Sequence, residues 1–377
     1  MTERQADFII IGAGIAGASV AYFLAQSARV VVLERESQPG YHSSGRSAAM
    51  FMASYGPPQV RALSCASRVF FDRPPPGFCE HALLTARGAM LFAAPGQQAQ
   101  LDAHERLARS VPGAVERLDA AQALRRVPVL HPEQVLGAVL EHDALDIDVN
   151  ALLHGFLRGA RAHGGTLVCD AGVGGLRRAD GQWQVETPQG MFRAPVLVNA
   201  AGAWADELGR MAGAAPIGLV PKRRSALLFE APPGEAIADW PMFMDADQSF
   251  YIKPDAGLLL ASPVNADPVA PHDVQAEELD IAIAIDAIER LTTMRVRRPR
   301  HVWAGLRSFV PDGELVGGFD AAVPGLFWAA AQGGYGIQTA PAAGRLYAAL
   351  LLGAPQTAES LLHGVDPSAL SPNRLVR

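Results

Sequence analysis

The stretch FIIIGAGIAGASVAYFL, from Phe8 to Leu24, carries no charged residue and constrains the fold more than any other part of the chain. It can be read as a membrane or export segment, or as a cradle for a nucleotide. A span needs about 20 consecutive apolar residues; this run is shorter and is interrupted by Gly12, Gly14 and Gly17. An export signal needs a net positive leader, whereas Met1 to Asp7 contains Glu3, Arg4 and Asp7. The nucleotide reading fits each part. Phe8 to Ile11 is short, apolar and β-branched, which suits a strand buried on both faces. Ala16 to Gln26 has helix-forming composition. Between them the glycines spell G-x-G-x-x-G. The first permits the tight turn, the second lets backbone approach a pyrophosphate, and the third lets helix pack on strand. The helix N-terminus then faces the phosphates. A second buried strand, Val30 to Leu33, ends at Glu34, which is 22 residues after Gly12. A carboxylate there accepts hydrogen bonds from a ribose and repels a 2′-phosphate.

The totals narrow the function classes. The chain has 377 residues, 49% hydrophobic and 19% charged, enough for one large domain or two with a substantial core. A net charge of −6 argues against a dedicated nucleic-acid or anionic-membrane binder. Cys65, Cys79 and Cys169 cannot all pair and have no metal-ligand spacing, which suits reduced thiols in a cytoplasmic protein without a transmembrane segment. No metal site is expected either. EHDALDID, from Glu141 to Asp148, reads as a polar turn that ends in a helix N-cap.

The fingerprint alone does not separate NAD from FAD. Glu34 is followed by RESQPGYHSSGRSAAMF, a Gly- and Ser-rich stretch that can wrap a long cofactor beyond its phosphates. Together, GAGIAGAS, VVLERE, GYHSSGRSAA, VLVNAAGAWADEL, WAGLRSFVPDG and WAAAQGGYGIQTAPAAG resemble the D-amino-acid oxidase/dehydrogenase (DAO) family of FAD enzymes. The likeness covers nearly the whole chain and is strongest to the branch containing catabolic D-arginine dehydrogenase. It implies an α/β fold, α+β overall. A Rossmann-like FAD domain (1–82, 145–215 and 301–377) interleaves with a substrate domain on a mostly antiparallel sheet (83–144 and 216–300). It also implies that FAD, held non-covalently, is contacted by Gly12, Gly14, Ile15, Ala16 and Gly17; Glu34 and Arg35; Ser43, Ser44, Arg46, Ser47, Ala48 and Ala49; Val173; Ala201, Gly202 and Trp204; and Gly333, Gly334, Tyr335, Gly336, Ile337, Gln338 and Thr339. Reduced flavin passes its electrons to a quinone-like acceptor or to oxygen. The number of subunits is left open.

The residue patterns agree with interleaving. Helices are expected over Pro57 to Phe71, across Ala99 to Arg126, from Asp148 to about His163, from about Val274 to Thr293, and from QGGYGIQT to about Leu352. Strands are expected at Thr85 to Ala94, Val196 to Asn199 and Leu326 to Ala331, with a hairpin over Gln182 to Arg193. Pro216 to Arg300 has antiparallel-sheet composition. From Val302 the chain resembles the first domain again.

An amino-acid dehydrogenase needs few protein groups, because the flavin performs the redox chemistry. A fixed cation must hold the carboxylate, and arginine binds it bidentately while keeping its charge. Arg307, in the apolar segment AGLRSF, matches the family's carboxylate-binding arginine; Arg224, in PKRRSA, matches a second one. Tyr55 and Tyr251 match tyrosines near the substrate, and Gly334 matches a backbone carbonyl that holds the amine. No base is evident: His42 reads as structural, and His301 lies near the site segments. Loss of the amine proton lets the nitrogen lone pair expel hydride from Cα to flavin N5, and the imine hydrolyses to a 2-oxo acid and ammonia. A basic side chain would need an acid, since a buried unpaired cation is costly. The matching position is Ala89, and no acid lies between Thr85 and Phe92. Met50, Met52, Met242 and Met244 offer an adaptable apolar lining. Hydrophobic D-amino acids are therefore expected over basic ones, unless Asp245 or Asp247 supplies the acid. The alternatives are D-arginine or D-lysine, a secondary amine, a 2-hydroxy acid, or a flavin subunit without catalysis.

Overall fold

The chain is described by a computed structural model covering residues 3–354, 362 and 364–375. Its centre is a six-stranded sheet ordered Thr166–Val168, Val30–Leu33, Phe8–Ile11, Val196–Asn199, Leu326–Ala330 and Val316–Phe319. All neighbours are parallel except the last pair. Phe8–Ile11 and Val30–Leu33 are buried at every position, as a strand covered by helices on both faces must be. Helix Ile15–Leu24 packs against Gly336–Leu351 through small residues. A Cβ on Gly344 would lie 2.7 Å from Ser19 Cβ, so only glycine admits this crossing. On its other side Ile15–Leu24 meets Val149–Ala162, where Gly159 leaves room for the Tyr22 ring. Asp148 caps that helix, its Oδ1 accepting the Ala151 N–H at 2.8 Å.

The second large element is a sheet running from Asp267–Pro268 through Val220–Phe229, Leu258–Ser262, Tyr251–Asp255, Met242–Asp245, Ala89–Ala93 and Gly137–Glu141 to Val115–Asp119. It is antiparallel apart from the junction of Met242–Asp245 with Ala89–Ala93. One face carries Phe92, Leu140, Phe229, Phe243, Phe250 and Ile252 against helix Glu278–Leu291. Alternation sends the other residues, Tyr251 among them, to the opposite face. Two smaller sheets complete the fold, one of them joining Met50–Phe51, Leu145–Ile147 and Leu84–Ala86.

Four elements differ from their sequence expectation. The strand expected at Thr85 to Ala94 is broken at Gly88, φ +75°, into Leu84–Ala86 and Ala89–Ala93, which join different sheets. The helical pattern over Ala99 to Arg126 is split into Gln98–Arg109, a strand at Val115–Asp119 and Ala120–Arg126. Pro112 and Gly113, the latter at φ +142°, end the first helix between them. The helix expected from Val274 begins at Glu278, because the Val274 carbonyl is bonded instead to Arg46 Nη1 at 2.8 Å. His301–Phe309 pairs along its whole length with Val220–Phe229, and so lies in the large sheet. Among the described residues no helix is long and apolar enough to cross a membrane.

Candidate active site

The junction after Phe8–Ile11 forms the nucleotide cradle. Gly12 has φ +105°, and a Cβ there would lie 2.4 Å from the Ala200 carbonyl oxygen. A Cβ on Gly17 would lie 1.9 Å from the Gly12 carbonyl oxygen; Gly17 therefore shapes the turn from behind. Helix Ile15–Leu24 begins with no side-chain cap and no acid in its first turn. Its N-terminal N–H groups and positive dipole end are thus available to an anion, apart from the Ile15 N–H, which meets Ser44 Oγ at 2.9 Å. Glu34 accepts the Ala13 N–H at 2.8 Å and the Glu36 N–H at 3.0 Å. These bonds hold the carboxylate at the groove while leaving lone pairs for a ribose. Arg35 lies 3.9 Å over the Trp204 ring. His42 bonds Glu36 at 2.9 Å, in keeping with a structural role.

A channel of three connected compartments leads from this cradle. The first, about 240 Å³, is lined by Gly12, Gly14, Glu34, Arg35, Val173, Ala201, Gly202 and Trp204. The second, about 130 Å³, shares Gly14, Ser43, Ser44 and Gly202 with it and runs past Ile15, Ala16, Arg46, Ser47 and Ala48 to Gly333, Gly334, Gly336 and Ile337. The third, about 390 Å³, is joined to the second at Arg224, Tyr251, Arg307 and Gly334. A dinucleotide with a long, flat flavin end fits this series: a cradle at a helix N-terminus, a small-residue corridor and a larger chamber. Some expected cofactor contacts sit differently. Ala49 and Gln338 line the chamber. Tyr335 and Thr339 lie off the channel. Tyr335 packs its ring 5.0 Å from that of Tyr55, and burial pushes its phenol up to about 12. Thr339 is fully buried and donates to the Tyr335 carbonyl at 3.0 Å. Arg46 spends its guanidinium on the Val274 and Ala304 carbonyls and on Asp273, so it anchors the loop to the large sheet.

The chamber gathers the residues singled out for substrate. Register sets Arg224 opposite Gly305 and Lys222 opposite Arg307, which puts both arginines on one face of adjacent strands. Arg307 Nη1 donates to Tyr55 Oη at 3.5 Å. A Cβ on Gly334 would fall 2.9 Å from Tyr55 Oη and 3.1 Å from Arg307 Nη1, so these groups meet at the Gly334 backbone. Among the described residues neither Arg224 nor Arg307 has a carboxylate partner. Burial works against the Arg307 cation, but Tyr55, Tyr251 and Tyr335 around it hold it above its ordinary value. Burial, and then the Arg307 charge, lowers Arg224 to about 10. Arg224 is fixed from behind: its Nε donates to the Asn265 carbonyl at 2.6 Å. Asn265 follows Val264, a β-branched residue at φ +53° that lines the chamber. A branched side chain there is strained. Asn265 Nδ2 in turn bonds the buried Asp280 at 3.0 Å.

Met50, Met52, Met242 and Met244 line the chamber with Leu91 and Leu107. Gln338 pins Met52 by accepting its N–H at 3.1 Å and donating to its carbonyl at 3.3 Å. Ala89 does not line it. It is buried in the sheet between Glu141 and Met242, so its smallness shapes the wall from one layer back. Neither Asp245 nor Asp247 reaches in. The Asp245 carboxylate caps the turn at Ser249 and Phe250, and exposed Asp247 accepts from Gln97 at 2.5 Å. The sequence reading missed Ser54, His104, Gln248, Lys253 and Val264 on the chamber wall. Two of these had a signal. Lys253 is in step with Tyr251 on its strand, and His104 interrupts the apolar face of Leu101 and Ala108.

A profile of the FAD dependent oxidoreductase family, DAO, matches residues 7–350. The chain belongs to this family. Its cofactor is FAD. Dimethylglycine dehydrogenase of Rattus norvegicus is 27% identical over 266 residues, covering 69% of this chain and 31% of that protein. Sarcosine dehydrogenase of Homo sapiens is 25% identical over 392 residues, covering 96% and 41%. This chain therefore spans less than half the length of either relative. Glycine oxidase of Geobacillus kaustophilus shares the fold, with a TM-score of 0.81 at 23% identity over 93% of this DAO chain and 95% of the other.

Proposed function

We propose that this chain oxidises D-amino acids to 2-oxo acids and ammonia, taking hydrophobic rather than basic side chains. One observation carries the reading: Arg224 and Arg307, without carboxylate partners, converge with Tyr55, Tyr251 and Gly334 where the corridor opens into the chamber. Two half-buried cations side by side favour an anion between them, and a carboxylate bound to both guanidinium groups supplies it. The Tyr55 and Tyr251 hydroxyls add donors, and the Gly334 carbonyl holds the amine. Bound FAD supplies the two-electron oxidant. Among the described residues, His42 belongs to the nucleotide end, His301 is exposed, and His104, on the chamber wall, is engaged by Glu141 at 3.2 Å. The amine therefore enters the reaction deprotonated, and its lone pair drives loss of the Cα hydrogen as hydride. The imine is then hydrolysed in water. The D-class rests on the resemblance to the D-arginine dehydrogenase branch, and the methionine lining, with Ala89 one layer behind it, disfavours a basic side chain. FAD is held without a covalent bond. None of the three cysteines lines the channel, and burial raises their thiols.

Anaerobic addition of single amino acids to the yellow protein tests this. D-leucine, D-methionine and D-phenylalanine are expected to bleach it faster than D-arginine or D-lysine, and acid precipitation should leave the colour in the supernatant. Bleaching chiefly by sarcosine or dimethylglycine would favour the second reading, a secondary amine, which the names of the matched dehydrogenases suggest. A spectrum unmoved by every amine would point to a flavin subunit without catalysis.

The pH dependence has two opposed arms. The rate should rise with pH as the amine loses its proton. Arg224 is charged below about 10 and neutral above it, so KM should climb as pH passes that value. A KM that stays flat through this region would mean that Arg224 keeps its charge there despite its burial and the nearby Arg307.

A further inference from the structure

We propose that the far end of the chamber is a second anion site, centred on Lys253, that takes a side-chain carboxylate. This rests on the amino-acid reading above and extends it: an apolar stem passes the methionines and an acceptor ends at Lys253.

Lys253 is only 6% exposed, yet it lines the chamber. Burying an ammonium group is expensive unless its donors are satisfied. Its Nζ has one protein acceptor, Asp146 Oδ1 at 2.7 Å. An ammonium has three N–H groups, so donors remain. Asp146 is shared, because its other oxygen accepts Arg87 Nε at 2.8 Å. Arg87, Lys253 and Asp146 together carry a formal charge of +1. The remaining acid near this end, Glu141, is already engaged by His104 at 3.2 Å and Ser54 Oγ at 2.9 Å.

Sheet register gives the spacing. Tyr251 and Lys253 share the chamber face of one strand, and Met244 and Met242 stand beside them on the next. Lys253 is thus about 7 Å further along the strand than Tyr251. A substrate whose α-carboxylate is held at Arg224, Arg307 and Tyr251 would pass its stem over the methionines towards Lys253. An acidic side chain of glutamate length fits that order of contacts. A lysine or arginine side chain would bring a further cation up against the Lys253 ammonium.

Binding to the oxidised holoprotein, measured by calorimetry, tests this without turnover. Glutarate and pentanoate have the same chain length and differ in the second carboxylate. Glutarate is expected to bind at least about tenfold tighter, as a charge-assisted hydrogen bond warrants. The Lys253→Met variant should lose that advantage and keep its pentanoate affinity. It should also lower kcat/KM for D-glutamate about tenfold more than kcat/KM for D-leucine. Equal wild-type binding of the two acids overturns the proposal, and so does a variant that loses both alike, which marks Lys253 as a structural clip. Lys253→Gln provides the same comparison if the methionine variant does not fold. Failure of the amino-acid reading looks different: no amino acid bleaches the flavin, whatever the two acids do.

Discussion

Replacing Arg307 by methionine is expected to lower kcat/KM for D-leucine by roughly a thousandfold while leaving the flavin spectrum intact. Truncating one partner of a buried, hydrogen-bonded charge pair costs about 2–5 kcal/mol, and each 1.4 kcal/mol is about tenfold. Arg307 is central because its guanidinium stands against Tyr55 Oη and the Gly334 backbone. A carboxylate displaced there also misplaces the Cα hydrogen, so both kcat and KM should suffer. Arg307→Lys restores the charge but not the planar fork, and should recover only part of the loss. The measurement is anaerobic flavin reduction across a range of D-leucine concentrations. An unchanged kcat/KM in Arg307→Met would move the carboxylate site elsewhere.

The second large effect is expected from Gly12→Ala, which should yield a protein without yellow colour. Gly12 sits at φ +105°, where an L side chain is strained, and its Cβ would lie 2.4 Å from the Ala200 carbonyl oxygen. That oxygen belongs to backbone, so relief means moving Val196–Asn199 or the turn itself. Either motion opens the groove between Gly14 and Gly202. The readout is the ratio of flavin to protein absorbance, with thermal unfolding alongside. Wild-type flavin content in this variant would show that the turn does not depend on glycine.

The nucleotide half was legible because its rules are local. An uncharged β-branched run, glycines at fixed spacing and an acid after the next strand each have one physical reading, and Phe8–Ile11, Val30–Leu33 and Val196–Asn199 have the bounds the sequence suggests. The site residues were placed by resemblance, and the fold brings Arg224, Arg307, Tyr251, Tyr55 and Gly334 to one chamber although they come from segments far apart in the chain. What failed depended on partners. Asp245 stood as a possible acid for the side chain, but a turn consumes its carboxylate. Arg46 lines the corridor, but its guanidinium is spent on Val274, Ala304 and Asp273, which only the fold reveals. Glu141 and Asp146 were read as a polar turn, and only the sheet pairing sets them beside the chamber with His104 and Lys253. Such pairings come from long-range register, which alternation within a single strand does not reveal.

The central claim is that the paired arginines select an amino acid by its carboxylate and present its Cα to the flavin. The most direct test is anaerobic mixing of the yellow holoprotein with D-leucine, and separately with isoamylamine, which differs only in lacking the carboxylate. Rapid bleaching by D-leucine and none by isoamylamine at the same concentration is the expected result. Equal bleaching by both, or bleaching by isoamylamine alone, would contradict it.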